Sequence, residues 1–109
     1  MINGKYTVRF SPGHLERDFE LPYKGYARDV LVEASDGRTW LLYFTDLARL
    51  QQDLGDAQSQ GVSHFAERNL IVLAEVTVNN IRQAIDRLWG TGFFDERRAP
   101  HAQMIGRDL

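Results

Sequence analysis

The chain contains no cysteine. That excludes disulfide staples, thiolate nucleophiles and cysteine-ligated zinc. Long hydrophobic runs are also missing: no apolar stretch exceeds the length of Leu70 to Ala74, far short of a membrane span. Nothing near Met1 has the apolar length of a secretory signal, so the chain is expected to be cytoplasmic. Neither charge sign dominates. Fifteen acidic residues stand against 13 lysines and arginines, a net charge of −2. Residues 1–60 carry nine acids and seven bases, and residues 61–109 six of each, so neither half is basic enough to grip nucleic acid by charge alone. No repeat or low-complexity tract appears. What remains is a 109-residue chain, 43% hydrophobic, with enough apolar and aromatic residues for one core and too few positions for two.

The first half reads as strands. From Lys5 to Phe10, apolar and polar residues alternate, the period of a half-buried strand. Ser11-Pro12-Gly13 breaks it with turn chemistry. Phe19, Leu21 and Tyr23 alternate with Asp18 and Glu20 and predict a second strand, ended or confined to an edge by Pro22. Val30, Val32 and Ala34 share one face of a third; Trp40, Leu42 and Phe44 share one face of a fourth. Asp36-Gly37 between them predicts a type I′ hairpin.

The period then becomes helical. Leu47, Leu50, Leu54 and Ala57 predict a helix over 46–60, capped by Thr45 or Asp46 and stopped by Gly61. Residues 69–76 form a near-continuous apolar run, which predicts a central strand covered on both faces. Thr77 is a good N-cap for a second helix with the stripe Ile81, Ala84, Ile85, Leu88 and Trp89. Gly90 supplies a left-handed end, closed by Phe93 or Phe94. The stripe is expected to face Trp40 and Val72 or their neighbours. The expected fold is α+β: a mostly antiparallel sheet of about five strands, order β-β-β-β-α-β-α, with two helices packed on one face. Residues 1–94 are expected to form one domain and residues 95–109 an irregular tail, with one docked patch around Met104 and Ile105.

Catalytic machinery is not legible. His14, His64 and His101 lie at no ligand spacing, so no metal is expected. No serine stands in a nucleophile elbow. Gly90-Thr91-Gly92 follows a helix instead of preceding one and forms no phosphate cradle. Glu16, Asp18, Glu20 and Glu33 read as solvated carboxylates or an acidic docking surface, not as a glycosidase pair. Arg82 and Asp86 read as an i, i+4 ion pair. No enzyme activity and no cofactor are expected. One feature is less ordinary: the third and fourth strands are apolar on both faces, so the second face needs a cover, from this chain or from a partner.

Residues 36–54, DGRTWLLYFTDLARLQQDL, and 65–94, FAERNLIVLAEVTVNNIRQAIDRLWGTGFF, together resemble small bacterial immunity proteins, the antidotes to polymorphic toxins of contact-dependent growth inhibition and of type VI or Rhs systems. The shared pattern is an aromatic hairpin strand, an Asp-initiated helix rich in Leu and Gln, an apolar strand, and a "VT-x-x-x-I" helix ending in "GFF". The resemblance implies a protein that binds the cognate toxin's C-terminal domain, a nuclease by preference, and covers its active site. It implies a partner surface among Asp18, Glu20, Glu33, Tyr43, Asp53 and Asp56, with Tyr43 as the aromatic anchor and no direct contact with nucleic acid or membrane. The alternative is a small ligand-binding or regulatory α+β module, dimeric through its exposed sheet face.

Overall fold

The computed structural model describes residues 6–11 and 20–94. Among the described residues, four strands and three helices follow in the order β1 (Tyr6–Arg9), α1 (Leu21–Lys24), β2 (Tyr26–Ala34), β3 (Thr39–Thr45), α2 (Leu47–Ser59), β4 (Leu70–Val72) and α3 (Val78–Trp89). The sheet has the order β1-β2-β3-β4. The first three strands are antiparallel neighbours, and β4 runs parallel to β3. The fold is therefore α+β with a mixed sheet of four strands.

The strand expected around Phe19–Tyr23 is not there. Leu21–Lys24 form a single helical turn, with Pro22 in its first positions. Proline has no N–H to give a ladder, and its fixed φ suits a helix start. Gly25 closes the turn at φ +78, its N–H donating to the Leu21 carbonyl at 2.8 Å. The expectations for Pro12-Gly13, Phe19 and the 95–109 tail lie outside the described residues.

The β2–β3 hairpin is present, but its turn differs. Gly37 has φ +95 while Asp36 does not have positive φ, so the turn is not type I′. The Gly37 N–H donates to the Ala34 carbonyl, and the Ala34 N–H to the Arg38 carbonyl. Three residues, Ser35 to Gly37, make the loop, and only its last one needs the left-handed region. Asp36 instead holds the turn from outside: its carboxylate accepts from the backbone and guanidinium of Arg38.

A bulge interrupts β2. Ala27 pairs with Phe44 and Val30 with Leu42, so Arg28 and Asp29 together stand opposite Tyr43. Asp29 sits at φ +58, a conformation Asp tolerates. The extra residue returns Val30 to the face of Ala27. That face is the core: Ala27, Val30, Val32, Ala34, Trp40, Leu42 and Phe44 are all buried, with Ile81, Ile85, Trp89 and Phe94 packed onto them.

Helix α3 keeps the expected stripe. Thr77 caps it, its hydroxyl accepting from the Asn80 N–H at 2.9 Å. Trp89 meets Tyr6, Trp40 and Phe94 at ring centroid distances of 4.6, 5.9 and 5.4 Å. The Trp40 Nε1 is buried without a hydrogen-bond partner among the described residues, so that indole serves as apolar area. Val72 does not meet the stripe. It pairs with Thr45 on the opposite face, and its neighbour Ile71 packs on the core instead. The chain reversal also falls later than expected: Gly90 keeps φ −88, its N–H reaching back to the Arg87 carbonyl, and Gly92 takes the left-handed position at φ +94.

The 69–76 segment is an edge strand, not a central one, and only Leu70–Val72 of it is extended in the sheet. The reason is its partner. β3 ends at Thr45, because Asp46 turns to cap α2. After the Leu73 N–H reaches the Thr45 carbonyl, no strand remains for it to pair with.

The two long helices, α2 and α3, do not share a face. Residues of α2 meet Tyr26 and Tyr43, which alternate with the core residues Ala27, Leu42 and Phe44, so α2 lies on the side opposite α3. The right-handed rule for a parallel β3–α2–β4 crossover confines α2 to one side of the sheet, whereas α3 follows the last of the described strands with no return crossover to fix its side.

Two outcomes follow from this packing. Trp89, 8% exposed, fills the space between β1, β3 and Phe94. Trp89→Ala should destabilise the fold by about 3–5 kcal/mol in chemical denaturation. At Gly25, a Cβ would stand 2.9 Å from both carboxylate oxygens of Asp46, the residue that caps α2. Gly25→Ala should cost about 1–3 kcal/mol, from the strained φ and the displaced cap together, measured in the same way.

Candidate functional site

The sheet face beneath α2 is polar where the other is aromatic. Tyr43 is 4% exposed. Its hydroxyl donates to Asp53 at 3.2 Å, and the Arg28 guanidinium lies 4.1 Å from its ring centroid. Arg28 also pairs with Glu67 at 3.2 Å. One turn earlier on α2, Arg49 stacks 4.4 Å from the Tyr26 ring and bonds Asp53 at 3.2 Å. Burial raises the Tyr43 hydroxyl pKa, and the neighbouring Asp53 charge raises it further. Burial alone would lower the Arg28 pKa, but its bond and charge contact with Glu67 outweigh this and raise it. The cluster fastens α2 and the 62–69 loop to the sheet.

The helix fastened in this way buries none of its side chains fully. Leu47 is 61% exposed and Leu54 36%, so the stripe that predicted the helix is largely open to solvent. Asp46 caps α2, its carboxylate accepting from the Arg49 N–H at 2.7 Å.

A second site lies at the other edge of the sheet. An open groove of about 340 Å³ runs between β1 and α3, lined by Tyr6, Val8, Arg82, Gln83 and Asp86. The Tyr6 hydroxyl donates to Asp86 at 2.9 Å. Arg82 lies over the Phe10 ring, 5.2 Å from its centroid, rather than closing the ion pair expected with Asp86. Burial and the bond to Asp86 push the Tyr6 pKa up to about 12.

The six residues named from the sequence fall in separate places. Tyr43 and Asp53 meet, and they hold each other. With its ring buried, Tyr43 offers almost no surface for an anchor. Glu33 pairs with Arg9 at 3.0 Å on β1. Glu20 leads into α1, where it pairs with Lys24 at 3.9 Å. Asp56 is exposed on α2. Asp18 lies outside the described residues, as do His14 and His101; His64 is exposed in the 62–67 loop. Among the described residues, no three His, Asp or Glu side chains are grouped to hold a metal ion, and no helix is long and apolar enough to cross a membrane.

Tyr26, Arg28, Arg49 and Glu67 were not legible as one cluster, because the bulge reverses the alternation of β2 between Ala27 and Val30. The groove had a faint signal. Tyr6 and Val8 alternate on one strand, and Arg82 and Asp86 lie one turn apart on one helix, but nothing in the sequence says that these meet. The chain matches no protein-family model, no curated protein and no solved structure.

The raised tyrosine values give a pH dependence with a definite sign. A phenol whose pKa is higher folded than unfolded stabilises the fold fully below the unfolded value near 10. That contribution is lost as pH rises through the folded value. The tyrosine contribution to stability should therefore hold constant up to about pH 10 and fall between about 10 and 12. Tyr6→Phe should remove part of this slope, with Tyr43 supplying the remainder. Denaturant midpoints across that range, alongside phenolate absorbance, check it.

Proposed function

We propose that this protein is an immunity protein. It binds a cognate toxin domain encoded beside it and silences that domain by covering the active site, with no chemistry of its own, in the cytoplasm of the cell that makes both. The observation that carries this reading is the pattern in residues 36–54 and 65–94 and the use the fold makes of it. Trp40 and Phe44 of β3 and Ile81, Ile85 and Trp89 of α3 form the core. The resemblance therefore lies in the scaffold. The exposed positions, Asp56 and Leu47 among them, are free to match one particular partner. Antidotes to a varied set of toxins need that division, a constant core beneath a surface that sets specificity.

Covering an active site is stoichiometric. Co-expression with the neighbouring toxin domain should rescue a sensitive host, and rescue should fail once toxin is produced in excess. The two purified proteins should leave gel filtration as one complex. Equal killing with and without this protein, together with no complex, would reject the reading in favour of a ligand-binding or regulatory module.

A further inference from the structure

The turn of the β2–β3 hairpin is also a reactive step of the backbone. Asp36–Gly37 is the one place in the chain where glycine follows aspartate. There the Gly37 backbone nitrogen can attack Cγ of Asp36. A C–N bond closes a cyclic succinimide, and one carboxyl oxygen leaves as water with the carboxyl proton and the amide proton. Water then reopens the ring at either carbonyl. One product is aspartate again; the other is isoaspartate, whose main chain runs through the side-chain carbon. Mass is unchanged, and water is the only co-reactant.

The site is open to this reaction. The Asp36 side chain is 53% exposed, so water reaches it. Even a Cβ on Gly37 would meet nothing within 4 Å, so no neighbour crowds the turn. Both reacting groups are nevertheless tied. The Gly37 N–H donates to the Ala34 carbonyl at 3.0 Å. One Asp36 carboxylate oxygen accepts from the Arg38 backbone N–H at 3.1 Å. The other accepts from the Arg38 guanidinium, at 2.9 Å from Nε and 2.8 Å from Nη2. That guanidinium is itself seated over the Trp40 ring, 5.8 Å from its centroid.

The Arg38 clamp opposes ring closure in two ways. It holds Cγ toward the residue after the amide that must attack it, and a misplaced electrophile reacts slowly. Its hydrogen bonds also favour the ionised carboxylate, held below the usual carboxylate range. An ionised carboxylate is a poor electrophile, because it has no hydroxyl to expel. The protection matters to the fold. The Ala34 N–H bonds the Arg38 carbonyl across this short loop, and Ala34 and Trp40 beside it are core residues. An extra main-chain carbon would lengthen the loop that sets their register.

We propose that Asp36–Gly37 is a site of aspartate isomerisation and that the Arg38 side chain holds it in check in the folded protein. The assignment does not depend on the immunity reading.

The test follows isoaspartate at position 36 by peptide mapping with electron-transfer fragmentation during prolonged incubation at neutral pH. Wild type, Arg38→Gln and Arg38→Lys are each incubated folded and in urea, and each folded rate is divided by the same chain's rate in urea. Folded wild type should isomerise about tenfold or more slowly than in urea. Arg38→Gln should raise the folded rate by about threefold or more. Arg38→Lys keeps the charge without the planar fork and should fall between the two. Circular dichroism shows which variants are folded; if Arg38→Gln is not, Arg38→Lys decides. A folded Arg38→Gln as slow as wild type would overturn the role of Arg38, as would a folded Arg38→Lys as slow as wild type where it alone decides. Wild type that reacts as fast folded as in urea would overturn the protection, and no isoaspartate at position 36 even in urea would overturn the site.

Discussion

Arg28 and Asp29 of β2 stand opposite the single residue Tyr43, and the division of the sheet into two faces follows from that count. Without the extra residue, Ala27 and Val30 would point to opposite sides. With it, Ala27, Val30, Val32 and Ala34 all enter the core with Trp40, Leu42 and Phe44. The same insertion leaves Arg28 on the far side, where it lies over the Tyr43 ring and reaches Glu67. Asp29 accepts a left-handed backbone to make this possible. The core face and the polar face therefore both depend on one irregularity.

The two faces are held by different physics. On one, α3 lays Ile81, Ile85 and Trp89 on the sheet, and tilted or edge-on ring pairs link Tyr6, Trp40, Trp89 and Phe94. Such burial is non-directional, and the aromatic pairs add about 0.5–1.5 kcal/mol each beyond it. On the other, α2 is held by the Tyr43 hydroxyl bonded to Asp53 and by Arg49 stacked on Tyr26. Each of these contacts is modest in part-exposed settings. The helix over the polar face is thus the more weakly held of the two, and its leucines remain at the surface.

Local chemistry was well recorded in the residues. Asp46 and Thr77 cap the helices they were expected to cap, Gly61 takes the left-handed backbone after α2, and the i, i+4, i+8 spacing of Ile81, Ile85 and Trp89 marked the stripe that the core uses. These features depend on neighbours within a turn or two, which the sequence lists in order. Pro22 shows the limit. Alternation around it favoured a strand, whereas its missing N–H and the following Gly25 favoured a turn of helix, and the latter prevailed.

By itself, then, the sequence determined the α+β class, both long helices with their N-caps, the β2–β3 hairpin and most of the core residues. Only the tertiary structure decided where β4 pairs, which face α2 covers, and that β1 and α3 enclose a groove. Pairing at an edge depends on where the neighbouring strand ends, and β3 ends because Asp46 leaves it to cap a helix. The side taken by a crossover helix follows from crossover handedness only once the strand order is known, and that order is a tertiary outcome. The groove needs Tyr6 to lie beside Asp86, eighty positions away, a distance at which no local period carries information.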